Sequence, residues 1–456
     1  MSPHFFIIFY GAVMKKLIKS PLLIVPFVIC LAIVVYTILN VVFSPYWDSV
    51  YAPTGYLSLT ALRTAESADT VYTNKQACED VDYLLKYLKR VHPKYIDGLP
   101  DDIIQLSTTK KNSFGEEVSS YEIWRACAEI LHLVGDSQTF AVASFKCDYL
   151  VDYIKKMAAG YKVVSVNGKS VADLLQENSY LYSYDNETMA DKCLLSSFQT
   201  LQGFKFLKID TSEITIVYTD KAGFSEKQVY TADDFYDYDT AVAMIGNNDD
   251  TQYSSSFDDK NNLAVITFKS CDFDSEYKKF LYDFFNEVFE RNIRNIAIDL
   301  RDVSSGSSQT AEEFIFYLNQ EKMKIPGGVM RLGPYMMKWK SDTQLINHYD
   351  DALFDGNVYV LTSNSTFGSG TMFAEMIQDN GFGKIIGEQC SDFPDTYGEV
   401  VVFQTPNSVL SFQVSSKHFY RIDESKSNLP IEPDYVCTAD QAEKVLLSIL
   451  NSNILY

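Results

Sequence analysis

The run Asn357-Val358-Tyr359-Val360-Leu361-Thr362-Ser363-Asn364-Ser365-Thr366-Phe367-Gly368-Ser369-Gly370-Thr371-Met372-Phe373-Ala374-Glu375-Met376-Ile377 decides the fold. Its first part, Val358 to Leu361, is continuously apolar and stops at small polar residues, which predicts a buried strand ending in a turn. In the second part Met372, Phe373, Met376 and Ile377 recur at helical spacing, so a helix is expected to start near Ser369 or Gly370. A strand that turns sharply over small residues into a helix exposes backbone N–H groups, which can bind a developing negative charge. Nucleophile elbows use this geometry.

Further blocks follow in order: Asn380-Gly381-Phe382-Gly383-Lys384-Ile385-Ile386-Gly387-Glu388, Tyr397-Gly398-Glu399, Pro406-Asn407-Ser408 and Glu432-Pro433-Asp434. Together these resemble the C-terminal half of the S41 serine peptidases, the tail-specific or C-terminal-processing proteases, over roughly residues 73–437. The resemblance implies an α/β fold whose core is a right-handed β-α spiral of crotonase/ClpP type, which the alternating β and α units also predict. Relatives carry a Thr-Phe-Ser-Ser-Ala-type block whose first serine is the nucleophile. Here Gly368 occupies that position, and Ser369, one residue later, is the only candidate nucleophile.

A second block sits at Gly135-Asp136-Ser137-Gln138-Thr139, after a helix expected from Ser120 to Val134. In the tricorn-like branch of the family a histidine follows this Gly-Asp-Ser/Gly pair as general base. Gln138 stands there instead, and an amide cannot accept a proton from a hydroxyl near neutral pH. His132 and His92 are expected in packing roles, His348 in an acidic loop, and His418 on an alternating strand that leaves its face open. The Ser/Lys branch needs a lysine about 25 residues after the serine, where this chain has Phe393. Lys384 is the nearest alternative and reads as the start of a strand. A third block, Asp299-Leu300-Arg301 leading into Asp302-Val303-Ser304-Ser305-Gly306-Ser307-Ser308, corresponds to the relatives' Gly-rich oxyanion loop. By that correspondence Gly306 and Ser305, together with Gly370 at the elbow, are the candidate oxyanion or peptide-binding positions.

Outward from the core, Leu263–Phe268 and Ile296–Arg301 read as strands, with helices over Tyr277–Phe289 and Thr310–Leu318. Tyr161–Val166 with Asn167-Gly168 and Val171–Leu175 predicts strand, turn and helix, and resembles the middle of S41 relatives. Ile214–Tyr218 and Lys227–Tyr230 predict a hairpin, and 233–259 a polar, acidic surface loop rather than a cation site. Asp80, Val81, Leu84, Leu85, Leu88 and Val91 predict an amphipathic helix that stops at His92-Pro93. Asn186-Glu187-Thr188 is a glycosylation sequon by pattern.

Lys15, Lys16 and Lys19 precede Pro21–Phe43, a 23-residue uncharged and mostly apolar run, and no further Lys or Arg occurs before Arg63. That length and charge asymmetry predict one transmembrane anchor with a cytoplasmic N-terminus and an extracytoplasmic body. The expected divisions are a cytoplasmic N-terminus (1–20), the anchor (21–43), a tether (44–70), a helical subdomain (71–145), a small mixed β-rich subdomain (146–255), the S41-like core (256–440) and a C-terminal helix (441–456). A net charge of −21 argues against nucleic-acid binding. The 31 tyrosines and 30 phenylalanines suit a filled core or an extended-peptide groove. The eight cysteines form no CxxC pair, so no zinc or redox motif arises; disulfides and buried thiols both remain open. No metal or cofactor is expected.

Three functions remain open on these residues. One is an anchored S41 relative that has lost peptidase chemistry and acts as a peptide-binding or scaffolding module, its partner a polypeptide or peptide C-terminus. Another is an active serine endopeptidase using Ser369. The last is an assembly partner of another membrane protein.

Overall fold

A computed structural model describes residues 21–52, 58–64, 67–246, 252–303, 306–346, 348 and 353–453. Helix α1 (Pro21–Trp47) contains the stretch Val25–Val42, with mean hydropathy 2.6 and no part of it buried in the protein. It is long and apolar enough to be a membrane span or a signal sequence. The segment expected as a tether is docked at its start. Tyr46 is fully buried and donates to the Arg331 carbonyl (2.6 Å), and the Val50 N–H bonds Val402 O (2.8 Å). An aromatic ring this large is held by the body's apolar core, a tertiary effect that weak local periodicity does not announce.

Two capped helices build the first layer. In α2 (Asn74–Val91) Thr73 and Gln76 form a capping box, and Ala77, Val81, Leu84, Leu88 and Val91 share one buried face. His92, in extended conformation before Pro93, ends the helix. A second capping box, Ser119 with Glu122, opens α3 (Ser120–His132). Next comes a small β unit, in which β1 (Lys162–Val166) pairs antiparallel with β2 (Ile214–Thr219), and β2 with β3 (Ser225–Tyr230). Asn167 and Gly168, with φ of 48° and 79°, reverse the chain after β1 into a two-residue strand before the helix, so the turn is a hairpin. Between β1 and β2, helix α4 (Glu187–Ser197) is capped by Asn186. The same Asn186 amide bonds the Ser391 carbonyl, so the sequon asparagine is an internal strut.

The main sheet has six strands. β4 (Tyr253–Asp258) is its antiparallel edge, and β5 (Leu263–Phe268) and β6 (Asn295–Asp299) follow. The expected surface loop over 233–259 therefore ends in an edge strand, recruited by β5. Helix α5 (Ser275–Glu290) crosses between β5 and β6, and α6 (Gln309–Ile315) follows β6. A second sheet begins with the hairpin β7 (Gly327–Leu332) and β8 (Tyr335–Trp339). The main sheet resumes with β9 (Asn357–Thr362), helix α7 (Ser369–Asp379) and β10 (Lys384–Gly387). β11 (Tyr397–Gln404) and β12 (Ser411–Tyr420) complete the second sheet in the order β8-β7-β12-β11. Finally β13 (Tyr435–Val436) closes the main sheet as β4-β5-β6-β9-β10-β13, and α8 (Ala442–Asn453) covers one face. Strands β5, β6, β9, β10 and β13 run parallel. Being covered on both faces, they carry the continuous apolar runs seen in sequence. All eight cysteines are free thiols.

One buried ion pair ties the end of α7 to the loop after β12. Arg421 and Asp379 are 1% and 0% exposed and 2.8 Å apart, and Arg421 also donates to the Leu429 and Pro430 carbonyls. Lys426 also reaches Asp379 (3.2 Å) but is half-exposed, so removing Arg421 leaves a wholly buried carboxylate with only that partner. Because Lys426 stays in place, Arg421→Met is expected to lower the unfolding free energy of the full chain in detergent by about 2–3 kcal/mol, at or just below the lower end of the cost of breaking a buried pair. A denaturant titration showing a change below about 0.5 kcal/mol would contradict this role.

Candidate active site

The turn from β9 into α7 is fixed by a dense set of short-range bonds. Thr366 Oγ1 donates to the Leu300 carbonyl (2.8 Å) and accepts the Ser363 N–H (3.0 Å). The Phe367 N–H donates to Val303 O (2.9 Å), and the Ser391 N–H to Thr366 O (2.8 Å). At the apex Gly368 has φ 59° and ψ −116°. A residue with a Cβ is strained there, whereas glycine adopts the conformation freely. The backbone thus has the sharp strand-to-helix turn of a nucleophile elbow, with a hydrogen where the side chain would stand.

Ser369 begins α7 and is 8% exposed. Its hydroxyl is buried without a hydrogen-bond partner among the described residues. The Cys271 thiol lies near enough for Ser369 to offset part of its burial penalty, though not in hydrogen-bonding geometry; burial pushes that thiol up to about 12. Gly370 does not offer a donor, because its N–H is bonded to Phe367 O (3.1 Å) and it lies against Val303 and Thr366. Gly306 pairs with Cys271 in a parallel bridge beside this turn, and Ser305 lies outside the described residues.

None of the described histidines serves Ser369. His92 is wholly buried, and its Nε2 lies 3.2 Å from the Asp136 carboxylate, while Nδ1 accepts the Lys94 N–H at 3.2 Å. Burial holds His92 below its ordinary value, and hydrogen bonds from His92, Thr139 and Ser415 outweigh burial to hold Asp136 low. The pair is a neutral imidazole donating to a carboxylate, a structural lock. His132 bonds the Tyr182 carbonyl (2.6 Å), His348 the Phe316 carbonyl (2.9 Å), and His418 stacks on Tyr397 at 4.1 Å.

Gln138 is half-buried in the turn that Asp136 organises. Its N–H donates to Asp136 (2.9 Å) and its carbonyl accepts from Gln413 (2.6 Å). The neighbouring Ser137 hydroxyl bonds Asp185, and Asp185 lies close enough to Asp392 to repel it. Asp392 in turn accepts the Gly368 N–H at 2.9 Å and the Thr371 hydroxyl. Gly368 and Gln138, matched from sequence to the family's nucleophile and histidine positions, are therefore parts of one neighbourhood. Burial raises Asp392 well above the carboxylate range and Asp185 to about 6.

Sequence reading missed one cation here. Lys192, on α4, donates to the Ser365 carbonyl (3.2 Å) and lies 5.7 Å from the Phe367 ring. Burial lowers its ordinary value, and Asp392 and Asp302 oppose that. Its ammonium bonds the turn's carbonyl and does not reach the Ser369 hydroxyl. Lys384, weighed from sequence, pairs with Asp434 at 2.8 Å on the sheet's far edge. Residues 170 or more positions apart meet through tertiary packing, and no local spacing signals it.

A family model for peptidase family S41 matches residues 262–437, the segment that carries β5 through β13 and this turn. Over residues 262–437 the chain is similar to peptidase family S41. Among solved structures, mature CPAF superposes with a TM-score of 0.57 at 13% identity, covering 83% of this chain and 96% of that one. Mature CPAF complexed with lactacystin gives 0.58 at 14%, covering 83% and 97%. The photosystem II D1 C-terminal processing protease aligns at 0.47 and 11%, over 83% and 98%. No curated protein matches by sequence. At 13% and 14% identity, the two CPAF superpositions show a shared fold of mixed α/β type.

The helix that carries the elbow also holds an isolated acid. Glu375 is fully buried; one oxygen accepts the Ile422 N–H (2.7 Å) and the other has no partner. Burial raises its pKa to about 8. A carboxyl whose pKa is raised in the folded state stabilises the fold below the ordinary carboxylate range, and that contribution is lost as pH rises to about 8. Over pH 5–8 the wild type should therefore lose on the order of 4 kcal/mol more than Glu375→Gln, read by denaturant unfolding at each pH. Parallel pH profiles would contradict a neutral Glu375.

Proposed function

We propose that this chain is a membrane-anchored, extracytoplasmic S41 relative that has lost peptidase chemistry and acts as a peptide-binding or scaffolding module, taking in particular a peptide C-terminus. The observation that carries this reading is the elbow itself: glycine at the apex, and beside it a buried serine hydroxyl with no partner. A serine nucleophile needs a base to take its proton. Gln138 offers none, and the described histidines and Lys192 are bonded elsewhere. The finer architecture belongs to the same reading: a crotonase/ClpP-type β-α spiral bearing a helical and a β-rich subdomain behind one transmembrane helix.

Two features support peptide binding. The Ser369 N–H has no partner among the described residues, so the first turn of α7 keeps a donor for a carbonyl or carboxylate oxygen. The half-buried Lys192 lies against the same turn and adds positive charge. The lysines before the apolar helix, and the lack of others until Arg63, support the body's placement outside the membrane's cytoplasmic face. An active peptidase using Ser369 would require that hydroxyl to leave its buried position and meet a base. An assembly partner would need no groove.

Fluorescence titration of the full chain in detergent with unstructured peptides separates these readings. Saturable binding is expected for peptides with a free C-terminus, weakened about tenfold by amidation, because a charge-assisted hydrogen bond is lost. Mass spectrometry should find the bound peptide intact. Cleavage would establish the active enzyme, and no binding of either peptide would favour the assembly role.

A further inference from the structure

We propose that the cavity at the junction of α1 with the body binds the phosphate headgroup of an anionic membrane lipid. The site rests on the anchored reading of α1. The cavity, of about 470 Å³, has apolar walls from Val41, Pro45 and Pro334 and three cations, Lys89, Arg90 and Arg331, with no carboxylate in its lining. In a chain of net charge −21, three converging cations without an acid call for a source of negative charge.

Arg331 makes the demand specific. It is 5% exposed, and its guanidinium donates only to carbonyl oxygens: Gly333, His92 (3.4 Å) and Lys89 (3.3 Å). No described carboxylate forms an ion pair with it, and Asp97 reaches it only through its field. A buried cation without a counter-ion is costly, so an anion in the cavity would stabilise it. Lys89 and Arg90 also complement the C-terminal dipole of α2, which accounts for their sequence position but not for Arg331. Arg90 is oriented by the Ser44 hydroxyl at 3.1 Å, and Lys89 has no ion pair among the described residues. The nearby Asp48 is occupied by Lys86 at 3.8 Å and by Tyr87.

The depth of the cavity selects a lipid over a free anion. The apolar stretch of α1 ends at Val42, and the β7–β8 turn rests on the helix at that level. A Cβ on Gly333 would stand 2.5 Å from the Val41 carbonyl. A helix whose apolar span stops there places the cavity at headgroup height. Next to it, β8 leaves Tyr335 and Met337 exposed on one face, the amphipathic side chains suited to an interface. A lipid phosphate meets the three cations while its glycerol and first methylenes meet Val41, Pro45 and Pro334; inorganic phosphate has no use for those walls.

The test reconstitutes the full chain in nanodiscs of phosphatidylcholine mixed with phosphatidylglycerol, then measures by native mass spectrometry which lipid stays bound. Phosphatidylglycerol should be retained over phosphatidylcholine. The double variant Lys89→Gln/Arg90→Gln, at exposed and half-buried positions, should reduce that preference about thirtyfold, the attraction of two basic side chains to an anionic headgroup. Equal retention of the two lipids, an unchanged preference in the variant, or displacement of the lipid by inorganic phosphate would overturn the site. Carbonate extraction of membranes containing the full chain reports separately on the anchor. A chain released by carbonate defeats the anchored reading and the site with it; a chain retained without lipid preference defeats the site alone.

Discussion

The bond from the Gly368 N–H to the buried Asp392 carboxyl is the constraint on which the central region depends. It caps the start of α7 from outside the helix, and Thr371 adds a second bond one turn along. Thr366 performs the matching task on the other side by joining Leu300 to Ser363. Between them the chain is forced through a conformation that only glycine occupies without strain. The energy for this comes from the apolar layers on either side: β9 supplies Val358 and Val360, and α7 supplies Phe373, Met376 and Ile377 to one continuous core.

The same constraint would let the turn persist in a relative that, as proposed, has lost its chemistry. An elbow in an enzyme holds its serine in strain so that the hydroxyl projects into the site. With glycine at the apex the strain is gone, while the bonds from Asp392 and Thr366 still hold the turn's shape. On the reading proposed above, glycine at 368 both removes the nucleophile and relieves the backbone. Around it, the buried Asp392 and the half-buried Asp185 and Lys192 form a polar cluster whose hydrogen bonds run to backbone and to one another's loops. Such a cluster orders a site, because every unsatisfied member would be costly.

Much of the core was legible because its signals are local. The unbroken apolar run Val358–Leu361 and the helical recurrence after Gly370 require no knowledge of partners, and β9 and α7 stand where that pattern puts them. His92-Pro93 likewise ended α2 through a rule of adjacent residues. The features that escaped are those fixed by distant partners. Tyr46 looks like a linker residue until the β7–β8 region covers it, and 253–258 looks like a polar loop until β5 pairs with it. At the site, Gly368 and Gln138 could be marked from their motifs. That Lys192 and Asp185 would stand beside the same turn depends on how a separate β unit packs against the core.

The central claim, that no activated hydroxyl exists at this elbow, is open to one direct measurement. The full chain is incubated with an alkyl fluorophosphonate and its intact mass recorded, beside Ser369→Ala. An unreactive, buried Ser369 predicts that the wild type and the variant both keep their unmodified mass. A phosphonyl adduct on the wild type that is absent from Ser369→Ala would contradict the account and return the chain to the active serine peptidases.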